Sequence, residues 1–241
     1  MNEYFAVVSG EISQDELAAL ESEFTVIPLP ADEAIDAPVR SHPDMILCVI
    51  GSTLVTHRVY YGTHRASIER IAEFGGLHVV TSDNPRGEIY PLDVGFNAAV
   101  TRSHVICNAK ATCPEILSAA REHGLEILHV SQGYTACSCI VTDDVLITSD
   151  SGIHSACQRA GIESCLVSNH GISLPGYDVG FIGGSGGYEN HTLYFYGSIS
   201  EKECERDIKS IADSHGYNIK CLSDKPLVDR GGIKFIKLAK R

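Results

Sequence analysis

No apolar run in this sequence approaches the ~20 residues that a membrane-spanning helix needs. The first residues, Met1 to Phe5, carry neither a basic segment nor an apolar export core. Gly-x-Gly-x-x-Gly at the required spacing and Gly-Lys-Ser/Thr are both missing, so dinucleotide and P-loop phosphate binding have no support. The eleven histidines include no His-Glu-x-x-His. Cys137 and Cys139 lack the gap and the second pair of a zinc ribbon. No metal and no cofactor is therefore expected.

Basic residues are also short. Nineteen Lys and Arg face 31 Asp and Glu, a net charge of −12. That balance argues against nucleic acid and membrane surfaces as partners and suits a small cationic ligand, or simply solubility. Nine cysteines form no disulfide framework. Without an export signal, they are expected to be reduced thiols in the cytoplasm. Composition is otherwise that of a globular chain, 44% hydrophobic and 21% charged.

What the sequence does have is self-similarity. Asp-Val-Gly-Phe occurs at Asp93 to Phe96 and again at Asp178 to Phe181. With Asp178 as a marker, the same position recurs at Asp44, Asp93, Thr135 and Asp229, at intervals of 42 to 51 residues. Repeats of this period signal solenoids and closed propellers. After each marker come an apolar strand, a turn and a second strand: Thr53 to His57, His104 to Cys107, Val145 to Thr148 and Thr192 to Tyr196. Helical spacing follows over His64 to Phe74, Cys113 to His123, Ser151 to Ala160 and Glu201 to His215. Glycines just beyond these stretches fit left-handed C-caps, and a third strand comes next. The fifth unit is split. Gly232 to Leu238 gives its first strand, Phe5 to Val8 its second, and Ser13 to Glu23 a helix with a Ser13–Glu16 capping box. Phe24 to Ile27 gives its third strand.

The expectation is one α/β domain over residues 1–241, a five-fold propeller of ββαβ units closed by the two termini. Its units run over 229–241 plus 1–40, 41–88, 89–132, 133–174 and 175–228. Markers placed on strands put offsets 0, +2 and +4 on one face. Asp44, Asp93, Asn97, Asp178 and Asp229 then converge at one end of the ring, as ligand groups or as caps of their own turns. By the same parity Cys137 and Cys139 join them, either as nucleophiles or as small buried hydrophobes. His42, two residues before Asp44, is a candidate acid/base or a loop histidine. Arg40 and Arg230 either hold a substrate carboxylate or quench the acidic ring. Gly183 to Gly187 formally matches Gly-x-Ser-x-Gly around Ser185. A strand rather than a helix follows, so a nucleophile elbow is not expected. A flexible hairpin over the centre, or a tight connection needing positive φ, is expected instead.

The repeated ββαβ unit closed by both termini resembles the pentein superfamily, and within it looks closest to an uncharacterised bacterial branch. The superfamily includes the guanidino-group-modifying enzymes and the ribosome anti-association factor. The resemblance implies a central site where carboxylates grip a guanidinium and a His moves protons. A Cys from a C-terminal Gly-Gly-x-His-Cys attacks carbon. Gly231 and Gly232 match that stretch, but Lys234 stands at the His and Phe235 at the Cys. Two functions follow as expectations. One is binding of a guanidino or amidine ligand with C–N hydrolysis. The other is a silent interaction module, with the ribosome as one conceivable partner.

Overall fold

The computed structural model describes residues 3–240. The chain begins with β1 (Tyr4–Ser9), α1 (Gln14–Glu21) and β2 (Thr25–Leu29). The helix starts where the sequence places it, because Ser13 and Glu16 satisfy each other's backbone N–H groups. Next come α2 (Pro43–Ile46), β3 (Leu47–Ile50), β4 (Thr53–His57), α3 (Arg58–Thr63), α4 (Arg65–Gly75) and β5 (His78–Ser82). The third stretch holds β6 (Ala99–Val100), β7 (His104–Cys107), α5 (Pro114–Glu122) and β8 (Glu126–His129). The fourth holds β9 (Cys139–Val141), β10 (Leu146–Thr148), α6 (Ser151–Arg159) and β11 (Ser164–Leu166). The fifth holds β12 (Gly186–Glu189), β13 (Thr192–Phe195), α7 (Glu205–His215) and β14 (Asn218–Cys221), before β15 (Lys234–Lys237) ends the fold.

The result is a mixed α/β fold of five three-stranded sheets. Each has one plan: the first strand runs antiparallel to the second, and the second pairs in parallel with the third. A parallel pair needs a long crossover, and the helix supplies it. In the split sheet β15 pairs with β1, with Phe5 opposite Ile236, and β1 pairs in parallel with β2. Helices α4 and α7 stop at Gly76 and Gly216, both left-handed with φ of 60° and 69°. Each helix buries one face on its sheet, as Ile68 and Ile71 of α4 do in the cluster that includes Leu54.

No strand ladder joins one of the five sheets to another, so no continuous sheet closes on itself. Each first strand (β3, β6, β9, β12 and β15) forms the edge of its own sheet. All five border one cavity of about 350 Å³. Among the described residues no helix is long and apolar enough to cross a membrane.

Three elements differ from expectation. The markers do not open strands; each lies in the turn or loop before one. Pro43 starts a helical turn through Asp44, a place where its missing N–H costs nothing. Residues 135–138 turn because Thr135 and Ser138 donate their hydroxyls to the carbonyls of Gln132 and Tyr134. Helix α7 begins at Glu205 rather than Glu201, whose φ of 62° is incompatible with helix. Helix α3 is an addition, capped by the ring of His57, which accepts from the Val59 N–H.

Candidate functional site

The five turns that precede the first strands are joined in a circuit of hydrogen bonds. Asn97 donates through Nδ2 to the Asp44 carbonyl at 3.1 Å. Its Oδ1 accepts from the N–H groups of Ala136 (2.7 Å) and Cys137 (3.3 Å). The Gly184 N–H donates to the Cys137 carbonyl at 2.9 Å, and the Gly184 carbonyl accepts from Arg230 and Gly232. The Asp44 N–H then donates to the Gly231 carbonyl at 3.3 Å. Asn97 is fully buried. Its amide acts as the joint between two turns, which accounts for a polar residue there.

Inside this circuit lies a buried group of titratable side chains. Asp229 is 3% exposed and accepts from the Gly231 N–H (3.0 Å) and the Phe181 N–H (2.9 Å). Burial, together with the nearby Asp44 charge, pushes its pKa up to about 7. Asp44 is 1% exposed, and neither of its carboxylate oxygens has a hydrogen-bond partner. His42 Nδ1 lies 3.7 Å from Asp229 Oδ1, and burial lowers the pKa of this imidazole, favouring its neutral form. The Cys137 thiol receives the Asn97 Nδ2–H at 3.0 Å. Burial and then the Asp44 and Asp229 charges raise its pKa well above the ordinary thiol value. It adjoins Asp44, which raises its pKa through its charge and as a loose acceptor, at a geometry that leaves both Asp44 oxygens unsatisfied.

Sequence reasoning placed Asp44, Asp229, His42, Asn97 and Cys137 together, and the structure brings them together. The others go elsewhere. Cys139 is already in β9, so it faces away from Cys137; its sulfur is 3.5 Å from Thr148 Oγ1. Strand parity fails for this pair because Cys137 sits in the turn. Asp93 is buried at the margin, accepting the Tyr134 hydroxyl at 2.6 Å, and burial raises its pKa. Asp178 is exposed, eight positions before β12. Arg40 is at the surface and pairs with Glu11 and Glu33. Arg230 points to the buried Glu16, with Nε at 2.9 Å from its carboxylate.

Several residues of the site were not singled out. Met45 takes a contact from Asn97 Nδ2 at 3.2 Å. Tyr134 and Phe181 stack at 6.0 Å between centroids and pack against the core cluster that contains Cys137 and Met45. Gly183 to Gly187 is not a positive-φ connection, and the β12–β13 hairpin turns later, at Asn190 and His191. The glycine run is a turn leading into buried β12, packed so closely that a Cβ on Gly184 would meet Asp229 Oδ1 at 1.9 Å. The hydroxyl of Ser185 is fully buried and donates to the Ile182 carbonyl. A glycine run followed by strand spacing was the available signal for such close approach.

Position 235 lies outside the group: the Phe235 ring packs on Phe24 and Tyr194 at 4.9 and 5.2 Å. Among the described residues no three His, Cys, Asp or Glu are grouped to hold a metal ion. Chemically, the arrangement offers two things. It holds a proton that exchanges near neutral pH, and it presents a carboxylate with unused acceptor capacity. It does not offer a prepared thiolate.

Comparison with known proteins places the fold. The family described as "Family of unknown function (DUF6873)" matches residues 7–234. No curated protein matches in sequence. Similar solved structures include dimethylarginine dimethylaminohydrolase from Pseudomonas aeruginosa, a cysteine-to-serine mutant complexed with citrulline. It is 8% identical, with 91% of this chain and 92% of that one covered and a TM-score of 0.54. The inosamine-phosphate amidinotransferase of Streptomyces griseus is 12% identical over 95% and 81% of the two chains, with a TM-score of 0.54. Both have the pentein fold, and so does this chain.

Proposed function

The chain belongs to the DUF6873 family, and from that premise we propose that it binds a small guanidino- or amidine-type cation between Asp44 and Asp229. In this reading its five ββαβ units form one pseudosymmetric ring around the site. The observation that carries it is Asp44: a carboxylate 1% exposed with both oxygens unpartnered. Such a group is costly to bury alone. A planar cation with several N–H donors supplies both the charge and the hydrogen bonds it lacks. Asp229 provides the second acidic wall, and Tyr134 and Phe181 provide aromatic faces on which a planar cation stacks. The like-folded enzymes are named for dimethylarginine and amidino chemistry, which agrees with a guanidino ligand.

C–N hydrolysis needs a nucleophile as well as a cation site. A nucleophile must be a thiolate, and burial beside two acids holds Cys137 as a thiol. A bound cation beside Asp44 would lower that barrier, so turnover is a question for the liganded protein. A second reading, a protein-interaction module, has its own observation. Ile89, Tyr90 and Leu92 stand exposed on one loop, Ile89 by 76%.

Calorimetric titration decides between them. Agmatine, arginine and N,N-dimethylarginine are expected to bind the native protein, and putrescine, a diamine without a planar head, at least tenfold more weakly. Asp44→Asn is expected to weaken the guanidino compounds by tenfold or more. No heat from any of them, or equal heat with Asp44→Asn, removes the cation site.

A further inference from the structure

The cavity bordered by the five first strands holds a charge that nothing answers. Lys234 opens β15 and lines this cavity. It is half-buried and, among the described residues, makes no ion pair and no hydrogen bond. Cys48 of β3 and Cys139 of β9 line the same cavity, and the Lys234 charge bears on both thiols. Both thiols are pushed up to about 12 by burial and stay neutral, so neither supplies a counter-charge. Lys237, at the far end of β15, differs: Glu3 stands 3.4 Å from it.

The walls suit a small polar guest. Each first strand pairs in a ladder on one side only; apart from the Gly186 carbonyl of β12, which accepts the Ile233 N–H at 3.0 Å, their inner backbone edges border the space. Glycines let β12 and the segment leading into β15 pack closely along one wall. A Cβ on Gly187 would meet the Ile233 carbonyl oxygen at 2.6 Å, and one on Gly232 the Gly183 carbonyl oxygen at 2.8 Å. Asp44, Asp229 and Cys137 do not line it, so the inference stands whether or not the cation reading holds. A partly desolvated ammonium in such a place is unfavourable without a counter-charge.

We propose that this cavity is a binding site for a small oxyanion, with Lys234 as its charge and the open edges of the first strands as its hydrogen-bonding walls. Lysine acts there as a point charge rather than a fork, so a compact ion fits better than a long planar one.

The test is thermal unfolding in inorganic phosphate, in acetate and in chloride at matched ionic strength. Phosphate or acetate is expected to raise Tm over chloride by roughly 5–10 °C at a hundredfold excess over Kd. Whichever ion acts more strongly assigns a tetrahedral oxyanion or a carboxylate. Lys234→Met is expected to lose the rise, while Lys240→Met, at an exposed position, keeps it. A parallel measurement needs no variant. Brief acetylation of the native protein, read by peptide mass spectrometry, is expected to show Lys234 protected at least fivefold by the active ion, with Lys240 unprotected. The proposal is overturned if neither ion exceeds chloride, or if Lys234 labels equally with and without it. A Tm rise that survives in Lys234→Met overturns it as well.

Discussion

Asp44 and Asp229 show how one neighbour changes what a carboxylate does. Asp229 accepts two backbone N–H groups, which favour its ionised form, yet burial and the Asp44 charge outweigh them and push it to about 7. The unfolded value is ~3.9. Because the folded value is the higher one, this group's contribution to stability is full below about pH 4 and is lost as pH rises through about 7. Glu189, also raised to about 7 chiefly by burial, acts in the same sense. His42 and His57 act oppositely: burial lowers them, so their contribution is full above ~6.5 and lost as pH falls below it. Asp44→Asn removes the charge but keeps the shape. Urea unfolding at pH 5 and pH 8 is expected to show the variant losing less stability than the native protein on that rise. The difference is about 1–2 kcal/mol, since one unit of pKa is ~1.4 kcal/mol. Parallel stability curves for the two proteins would falsify the coupling of this acid pair.

At the scale of elements, the turns before the first strands decide the site more than the strands do. The turn at Gly184 is bonded to the Cys137 turn on one side and the Arg230–Gly232 segment on the other. Gly184→Ala drives a methyl into Asp229 Oδ1, and that carboxylate is held by one backbone donor on each oxygen and cannot yield. A loss of roughly 2–3 kcal/mol is expected in denaturant unfolding. Gly62→Ala, in α3 where nothing lies within 4 Å, is expected to stabilise by about 0.5–1 kcal/mol. Equal effects at the two positions would show that the circuit tolerates movement. The repeated Asp-Val-Gly-Phe makes the same point. In both copies the glycine packs closely, Gly95 near the Asn84 amide and Gly180 on Asp229. The aspartates differ: Asp93 is buried against Tyr134, and Asp178 is exposed. An identical tetrapeptide thus shares a closely packed glycine in its two places and no side-chain role.

At the scale of the whole molecule, the two ends of the chain complete one sheet. Strand β15 pairs with β1 from Tyr4–Lys237 to Val7–Lys234 and borders the central cavity. It also delivers Ile236 to the largest apolar cluster, and Ile233 just before it joins another. Ending the chain after Gly231 is expected to abolish cooperative thermal unfolding, because the lost burial exceeds a typical stability margin of ~5–15 kcal/mol. A truncated protein that still melts in one sharp transition would show β15 to be an appendage. The net charge of −12 belongs to this scale too. Exposed acids are spread over the surface, many of them paired, as Asp83 is with Arg58 and Asp15 with Lys225. The buried pair Asp44 and Asp229 stands apart from this surface acidity.

Period and pattern in the sequence determined the five units, the helix caps and the split sheet. These depend on local chemistry: alternation in strands, a capping box at Ser13, left-handed glycines after helices. Sequence also put Asp44 and Asp229 at the marker position of their units, and His42, Asn97 and Cys137 within four residues of a marker. It could not decide which of them meet, because each lies in a turn whose direction is set by contacts with other turns. Only the tertiary structure separated Cys137 from Cys139 and Asp93 from Asp178, and sent Lys234 into the cavity. The physical reason is that strand parity is a local rule, whereas burial and hydrogen-bond partners at the centre come from five distant segments at once.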